Sequence, residues 1–264
     1  MHKYLEIARV YMKTQLAWRA DVIFNMIFTV TKILFAYLLW GLIFRERSMV
    51  GEFTFHGILS YYIVSSFLSQ LEMSRSVSGE IHERIRNGTF SKYMIVPVNV
   101  EGYFIFMELG MIAFYFVFDL LAAVVWRFVF RIEFSFASDP VAIVCGVLTA
   151  ALGLLFMVEL NFWLGILTLK YQGIEAFLMI KNNLMELATG SIVPLALFPE
   201  IAVGVMRCLP FYYVTYLPAM LLTGQCGDEA VTGVAVIAAW CVGMQLVLAA
   251  TWKKYIRKYD GVGI

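Results

Sequence analysis

The stretch from Ile192 to Leu222 is as apolar as a membrane span, yet it holds four of the chain's six prolines: Pro194, Pro199, Pro210 and Pro218. Proline removes a backbone donor and clashes with the preceding turn, so one straight helix is excluded and short helical pieces joined by bends are expected. Hydrocarbon offers no partner to freed backbone groups, which must therefore be covered by protein or face water. Two readings follow from the prolines alone. Either the segment builds a passage or an outer cap at membrane depth, or it is a loop lying among the lipid headgroups.

Composition makes the membrane setting general. Hydrophobic residues are 61% of the chain, charged residues 15%, and the mean hydropathy is +0.80, well outside the range of soluble domains. Six apolar stretches are long enough to cross a core of about 30 Å: Val22 to Phe44, Phe55 to Met73, Tyr103 to Trp126, Val141 to Leu169, Ala176 to Leu197 and Val231 to Trp252. The sequence therefore predicts an all-α membrane protein with six transmembrane helices. Lysine and arginine collect on the cytoplasmic side of short loops. An inside N-terminus places thirteen of them in the cytoplasm, from Lys3, Arg9, Lys13 and Arg19 to the tail residues Lys253, Lys254, Arg257 and Lys258. Only Arg45, Arg47, Arg127, Arg131 and Arg207 would lie outside, so both termini are expected to be cytoplasmic.

Residues 1–19 are striped rather than continuously apolar. Tyr4, Leu5, Ala8, Tyr11, Met12 and Leu16 share one helical face, and His2, Glu6, Arg9 and Lys13 share the other, which suits a helix lying in the cytoplasmic interface better than a cleaved signal peptide. A net charge of +1, with no basic tract beyond the juxtamembrane positions, gives no sign of a nucleic-acid partner. Cys145 and Cys241 fall in spans as small packing residues. Cys208 and Cys226 both fall on the external side, and whether they pair is left open.

The longest polar stretch runs from Arg75 to Glu101. Ser78 as N-cap, Glu80 in the first turn and Asn87-Gly88 as a stop predict a helix over 78–88. Ile81 and Ile85 stack at i, i+4 on it. Such a helix is a ridge for docking into another protein, or a solvated loop helix. Phe90, Tyr93, Met94, Ile95 and Val96 then lead to Pro97 and the third span.

The run from Glu80 to Asn99, Glu-Ile-His-Glu-Arg-Ile-Arg-Asn-Gly-Thr-Phe-Ser-Lys-Tyr-Met-Ile-Val-Pro-Val-Asn, resembles the loop of ABC-2 type transporter permeases. There an acidic helix, an I-R-x-G turn and a Y-x-x-x-x-P exit follow the second span. Ser191 to Pro199, Leu209-Pro-Phe211, Tyr216-Leu-Pro218 and Gly224 are similar to the same family's broken hairpin, and Trp18-Arg-Ala-Asp21 and the basic tail from Trp252 to Gly261 are similar to its ends. Glu200 after Pro199, and Ala188-Thr-Gly190 in place of a Ser-Gly pair, depart from the pattern. The resemblance implies a single permease domain over 1–264 in the cytoplasmic membrane of a prokaryote. It implies that Glu80, Ile81, Glu83, Arg84, Ile85 and Arg86 form a coupling helix for an ABC ATPase subunit, present in two copies. It also implies that residues 199–222, with Pro199, Leu209, Pro210, Phe211 and Pro218, form an external re-entrant hairpin acting as a gate. A second permease chain, identical or paralogous, would complete the pathway. No G-x-x-x-x-G-K-[ST] occurs, so no cofactor is expected in this chain, and ATP and Mg would be bound by the partner ATPase.

Ionisable groups inside spans are costly and usually functional; here they are Lys32, Glu108, Asp119, Glu159, Lys181 and Glu186. Counted from the cytoplasmic ends, Glu159 and Lys181 lie at similar depth and are expected to pair, with Lys32 and Glu186 as a second pair nearer mid-membrane. These charges line a pathway, or they fix helix packing. Phe128, Phe130, Ile132, Phe134 and Phe136 alternate with Val129, Arg131, Glu133 and Ser135, as in a short strand or an aromatic belt. The competing functions are a membrane-embedded transferase and a channel. The histidines His2, His56 and His82 join no metal-ligand or H-x-x-x-x-D pattern, and no filter sequence repeats. The expected cargo of an exporter is lipid-like, drug-like or peptide.

Overall fold

The computed structural model describes residues 2–46, 48–51, 53–129, 131–171, 173–190, 195, 198–256 and 259. Ile192, Pro194, Phe130, Arg47, Arg257 and Lys258 lie outside the described residues. In chain order the helices are α1 (His2–Ala17), α2 (Arg19–Ile43), α3 (Phe55–Leu71), α4 (Arg75–Arg86), α5 (Ser91–Ile95), α6 (Val100–Val129) and α7 (Pro140–Ile166). Then come α8 (Glu175–Ala188), α9 (Glu200–Arg207), α10 (Tyr216–Leu222) and α11 (Ala230–Tyr255). Among the described residues there is no strand, and the single isolated bridge joins Val50 to Phe53.

α7 is the spine of the bundle. It opens on a strong local signal: Asp139 accepts from the Val141 amide at 3.0 Å, and Pro140 takes the first helical position, where its missing N–H costs nothing. Half of its span is buried, against 17% for α2, because α11 and α6 flank it, α4 packs on one end and α10 on the other half. Close approach at those two places rests on small residues. A methyl on Gly165 would meet Ile81 Cβ of α4 at 2.8 Å, and one on Gly153 would meet Val214 Cα, just before α10, at 2.8 Å. In lipid, where apolar burial drives little association, close packing at such small residues is one of the terms that hold helices together.

Each described proline of the broken segment sits where a helix tolerates it. Pro199 precedes α9, Pro210 opens a 3₁₀ turn (Pro210–Tyr213), and Pro218 is the third residue of α10, all positions whose N–H would have no intrahelical acceptor. The helical pieces on either side of Leu209 meet at 90°. Phe211, Tyr212, Tyr213, Tyr216, Leu217 and Leu221 are buried there, so Pro210–Leu222 is covered by the protein rather than lying on its surface. Gly190 closes the turn after α8 at φ +62, and its carbonyl accepts from Tyr61 of α3 at 3.1 Å.

Among the described residues, four helices are long and apolar enough to cross a membrane: Ala20–Ile43, Val100–Phe128, Pro140–Leu169 and Gly227–Tyr255, with the bent pair as a fifth candidate. The expected spans at 55–73 and 176–197 are shorter as helices. α3 has 17 residues and α8 has 14, about 25 Å and about 21 Å of helix. Apolarity carried the reading past Ala188, where Thr189 and Gly190 form a turn. The expected helix over 78–88 begins earlier, at Arg75, because the chain re-enters a helix directly after α3. Ser78 is thus buried mid-helix, donating to Arg75 O at 3.0 Å, while Ser74 takes the N-cap position. The stop at Asn87-Gly88 holds, with Gly88 at φ +68.

The interfacial stripe of α1 divides. Tyr4 and Ala8 pack on Gly102 and Gly110 of α6, and Tyr11 OH meets Tyr103 OH at 2.8 Å, while Leu5, Met12 and Leu16 stay exposed. The alternating segment after α6 is a single extended strap without a ladder. Ser135 N donates to Ser60 Oγ at 2.9 Å and Ala137 N to Leu222 O at 3.0 Å, lacing α3 and α10 together. Cys208 is exposed, with its Sγ 3.6 Å from Gly204 O.

Gly153→Val should lower stability by about 1–3 kcal/mol, the usual cost of overpacking, in thermal unfolding of the purified protein. Gly243→Val, where a methyl meets nothing within 4 Å, should change it by no more than about 0.5 kcal/mol.

Candidate functional site

α4 is amphipathic, and its sequence period decides what it offers to solvent. Val77, Ser78, Ile81 and Ile85 are buried, whereas Arg75, Gly79, Glu83 and Arg86, spaced four, four and three apart, are exposed. The Ile81/Ile85 ridge expected to face outward is therefore fully inside, 0% exposed in both residues, packed with Phe90, Phe104, Phe162 and Ile166. The correction has a plain cause: two isoleucines one turn apart gain more from the socket over Gly165 than from water. What remains free on α4 is its charged face.

Polar bonds fix the helix from three sides. Glu80 accepts both Arg84 Nε and NH2, at 3.1 and 3.0 Å, and the Tyr93 hydroxyl of α5. Burial, reinforced by that bond to Glu80, pushes the Tyr93 phenol well above its usual range, so it stays a donor. His82 Nδ1 lies 2.9 Å from Thr168 Oγ1 beyond α7, and its Nε2 lies 3.7 Å from Glu175 Oε1 at the start of α8. Ser76 Oγ donates to Glu108 of α6 at 3.3 Å.

A hydrogen-bonded chain leads from α4 into the bundle. Lys181 Nζ of α8 donates to Asn161 Oδ1 of α7 at 3.0 Å, Asn161 Nδ2 donates to Ser74 Oγ at 2.7 Å, and Ser74 donates to Glu72. Glu72 opens onto a cleft of about 280 Å³ between α2, α3 and α8, where Lys32, Arg75, Asn182 and Glu186 also lie. A neighbouring space of about 370 Å³ continues it along Asn25, Thr29 and Gln70, with Thr29 donating to Gln70 Oε1 at 2.7 Å. The cleft thus carries charges of both signs and amide and hydroxyl groups, a lining that suits a hydrated, amphipathic or ionic passenger.

The expected Glu159–Lys181 pair is not formed. The depth reading placed both groups at one level, but Glu159 and Asn161 are two residues apart on α7 and so about 200° apart around it. Asn161 faces α8, and Glu159 faces α11, where Gln245 Nε2 donates to it at 2.7 Å. Lys32 and Glu186 do share the cleft, without an ion pair among the described residues. Asp119 is buried on α6, with Oδ2 lacking a partner among the described residues. Sequence reasoning missed Ser74, Asn161, Glu72 and Gln245. Asn161 and Gln245 were visible as amides inside apolar spans, a signal as telling as a charge.

In the broken segment, Pro199, Leu209, Pro210, Phe211 and Pro218 shape the bend, and the polar fastening comes from other residues. Arg207 pairs with Glu229, Tyr212 OH donates to Glu229 Oε2 at 3.0 Å, and Tyr213 OH donates to Arg207 O at 2.8 Å. This ties the end of α9 to the start of α11.

One family model, described as ABC-2 family transporter protein, matches residues 30–263. No curated protein matches the chain.

In a double-mutant cycle read by unfolding of the purified protein, Lys181→Met with Asn161→Leu should be non-additive by at least about 0.5 kcal/mol, as expected for directly bonded groups. Lys181→Met with Glu159→Gln should add within about 0.5 kcal/mol. Strong coupling in the second cycle alone would reinstate the ion pair.

Proposed function

We infer the role of this chain from the family it belongs to, the ABC-2 family transporter proteins: it is the membrane permease of an ABC transporter. In this reading a separate ATPase subunit, in two copies, binds ATP and Mg and drives the permease by contact. A second permease chain, identical or paralogous, closes the cleft between α2, α3 and α8 into a pathway. The chain crosses the cytoplasmic membrane of a prokaryote six times with both termini inside, and it exports an amphipathic cargo that is lipid-like, drug-like or peptide. The bent pair from Pro199 to Leu222 gates the external side.

The observation that carries this reading is the two-sidedness of α4. Its apolar face is socketed on α7 at Gly165, its polar bonds reach α6, α8 and the Ser74–Asn161–Lys181 chain, and its charged face is left open. A push on that face is passed to helices lining the cleft, because the side chains between them are packed and bonded rather than loose. The docking contact then belongs to Arg75, Glu83 and Arg86, with Glu80 and Arg84 partly engaged within the chain. Ile81 and Ile85 hold the lever in place.

Reversing the open face, Glu83→Lys with Arg86→Glu, should abolish co-purification of the ATPase while changing permease stability by no more than about 0.5 kcal/mol. Retained co-purification would remove α4 as the docking element. Ile81→Asp is unsuitable for the purpose, because it buries a charge in the socket and destabilises the permease itself.

A further inference from the structure

On the side of the bundle away from the cleft, between the chain before α6, α7 and the last turns of α11, lies a cavity of about 530 Å³. Its volume is that of a small-ligand site. Met94, Val98, Phe162, Leu248, Trp252 and Ile256 supply the apolar part of its wall. One end is different: Glu101 and Gln245 face each other there.

The hydrogen bonding at that end is one-signed. Gln245 Nε2 donates to Glu101 Oε1 and to Glu159 Oε1, and the opposite setting of the amide would put its carbonyl against two carboxylates. Both amide hydrogens are therefore consumed. Asn99, also in the wall, has its side-chain oxygen occupied by the amides of Glu101 and Gly102. Behind Gln245, Glu159 is 2% exposed, and its Oε2 has no partner among the described residues. Among the described lining residues, the end thus offers acceptors and negative charge with no lysine or arginine to answer them.

The aromatic wall points the same way. Phe162 and Trp252 stack on each other with centroids 5.9 Å apart at 23°; Phe162 is fully buried, and the half-buried Trp252 is the ring that can meet a cation brought against it. Around the mouth the surface is apolar and open, with Ile95 81% and Met94 43% exposed. An occupant with an alkyl chain leaves along them.

We propose that this cavity binds the ammonium group of an amphipathic molecule, an amine-bearing phospholipid headgroup or a free long-chain amine, between Glu101 and the Phe162–Trp252 pair. The proposal does not depend on the docking reading above. Phe162, Val100 and Leu248 also belong to the apolar cluster beneath α4, so an occupant bears on the seat of that helix.

The test uses the full chain, in its complex as purified, in phosphatidylglycerol nanodiscs, with bromine-tagged acyl chains as short-range quenchers. Three probes are titrated: brominated phosphatidylethanolamine, a brominated dodecylamine and brominated phosphatidylglycerol. The readout is the part of tryptophan quenching that disappears in Trp252→Phe. At least one amine probe should quench at concentrations about tenfold below those needed by brominated phosphatidylglycerol, a factor of the size expected for one charge-assisted contact. Glu101→Gln should erase the preference. Glu101→Lys should reverse it toward the anionic lipid, a gain that a misfolded variant cannot give. Quenching by phosphatidylethanolamine identifies the headgroup as occupant, and quenching by the dodecylamine alone identifies a free amine. Equal quenching by all three probes, or an ammonium preference that survives Glu101→Lys, overturns the site.

Discussion

The contact of Gly165 with Ile81 fixes where a surface helix meets a buried one. A methyl at that glycine would stand 2.8 Å from the isoleucine Cβ, and the same separation recurs at Gly153 beneath the chain leading into α10. The two glycines are twelve residues apart, about 18 Å along α7. A helix is stiff over that length, so a displacement accepted at one socket is not absorbed before the other. Asn161 lies between them and clamps α7 to α8 and to Ser74. The α4 end and the bent pair are thus attached to one rod, and the fold needs no long-range wire beyond it.

Buried charges in this bundle are met chiefly by neutral groups. Lys181 is met by Asn161, Glu108 by Ser76 and Glu159 by Gln245. Pairing opposite charges in hydrocarbon requires desolvating two ions at once, and the mutual attraction has to repay both. An amide or hydroxyl asks for only one. It also bonds onward, as Asn161 does to Ser74, so the same groups that shelter a charge connect three helices. The residues at risk in such a network are the amides as much as the ions, since removing one leaves a buried charge without its partner.

Much of this was legible in the chain. The prolines predicted a broken segment because their constraint is local, and the stop at Asn87-Gly88 was equally local. The membrane character followed from composition, and the amphipathic period of α1 and α4 from spacing. What period cannot tell is which of two opposite faces turns inward. For α4 the apolar face was correctly drawn and wrongly aimed, since a ridge for an outside partner and a ridge for the chain's own α7 read the same. Glu159 and Lys181 failed for a related reason: counting residues gives depth along a helix, while pairing also needs the angle around it, and that is set by which neighbours pack there. The start of α4 was misjudged because the chain re-enters a helix directly after α3, and the end of α8 because the apolar stretch was read through Thr189 and Gly190, where the helix stops.

The two short helices and the polar cleft belong together. A segment facing lipid has to match the thickness of the hydrocarbon, whereas a segment facing water or protein is released from that demand. α3, of 17 residues, and α8, of 14, border the cleft that holds Lys32, Glu72, Arg75 and Glu186. α2, which shows most of its surface outward through Phe24, Phe28, Phe35, Leu39 and Leu42, keeps a full 25 residues. α2 also lends Lys32 to the cleft, so its length answers to the apolar side chains it turns outward, while α3, largely buried, is released from that demand by its neighbours. A hydrated cleft also explains how four charged side chains share a small volume without closing into ion pairs among the described residues: water between them lowers the gain from pairing and the cost of standing apart.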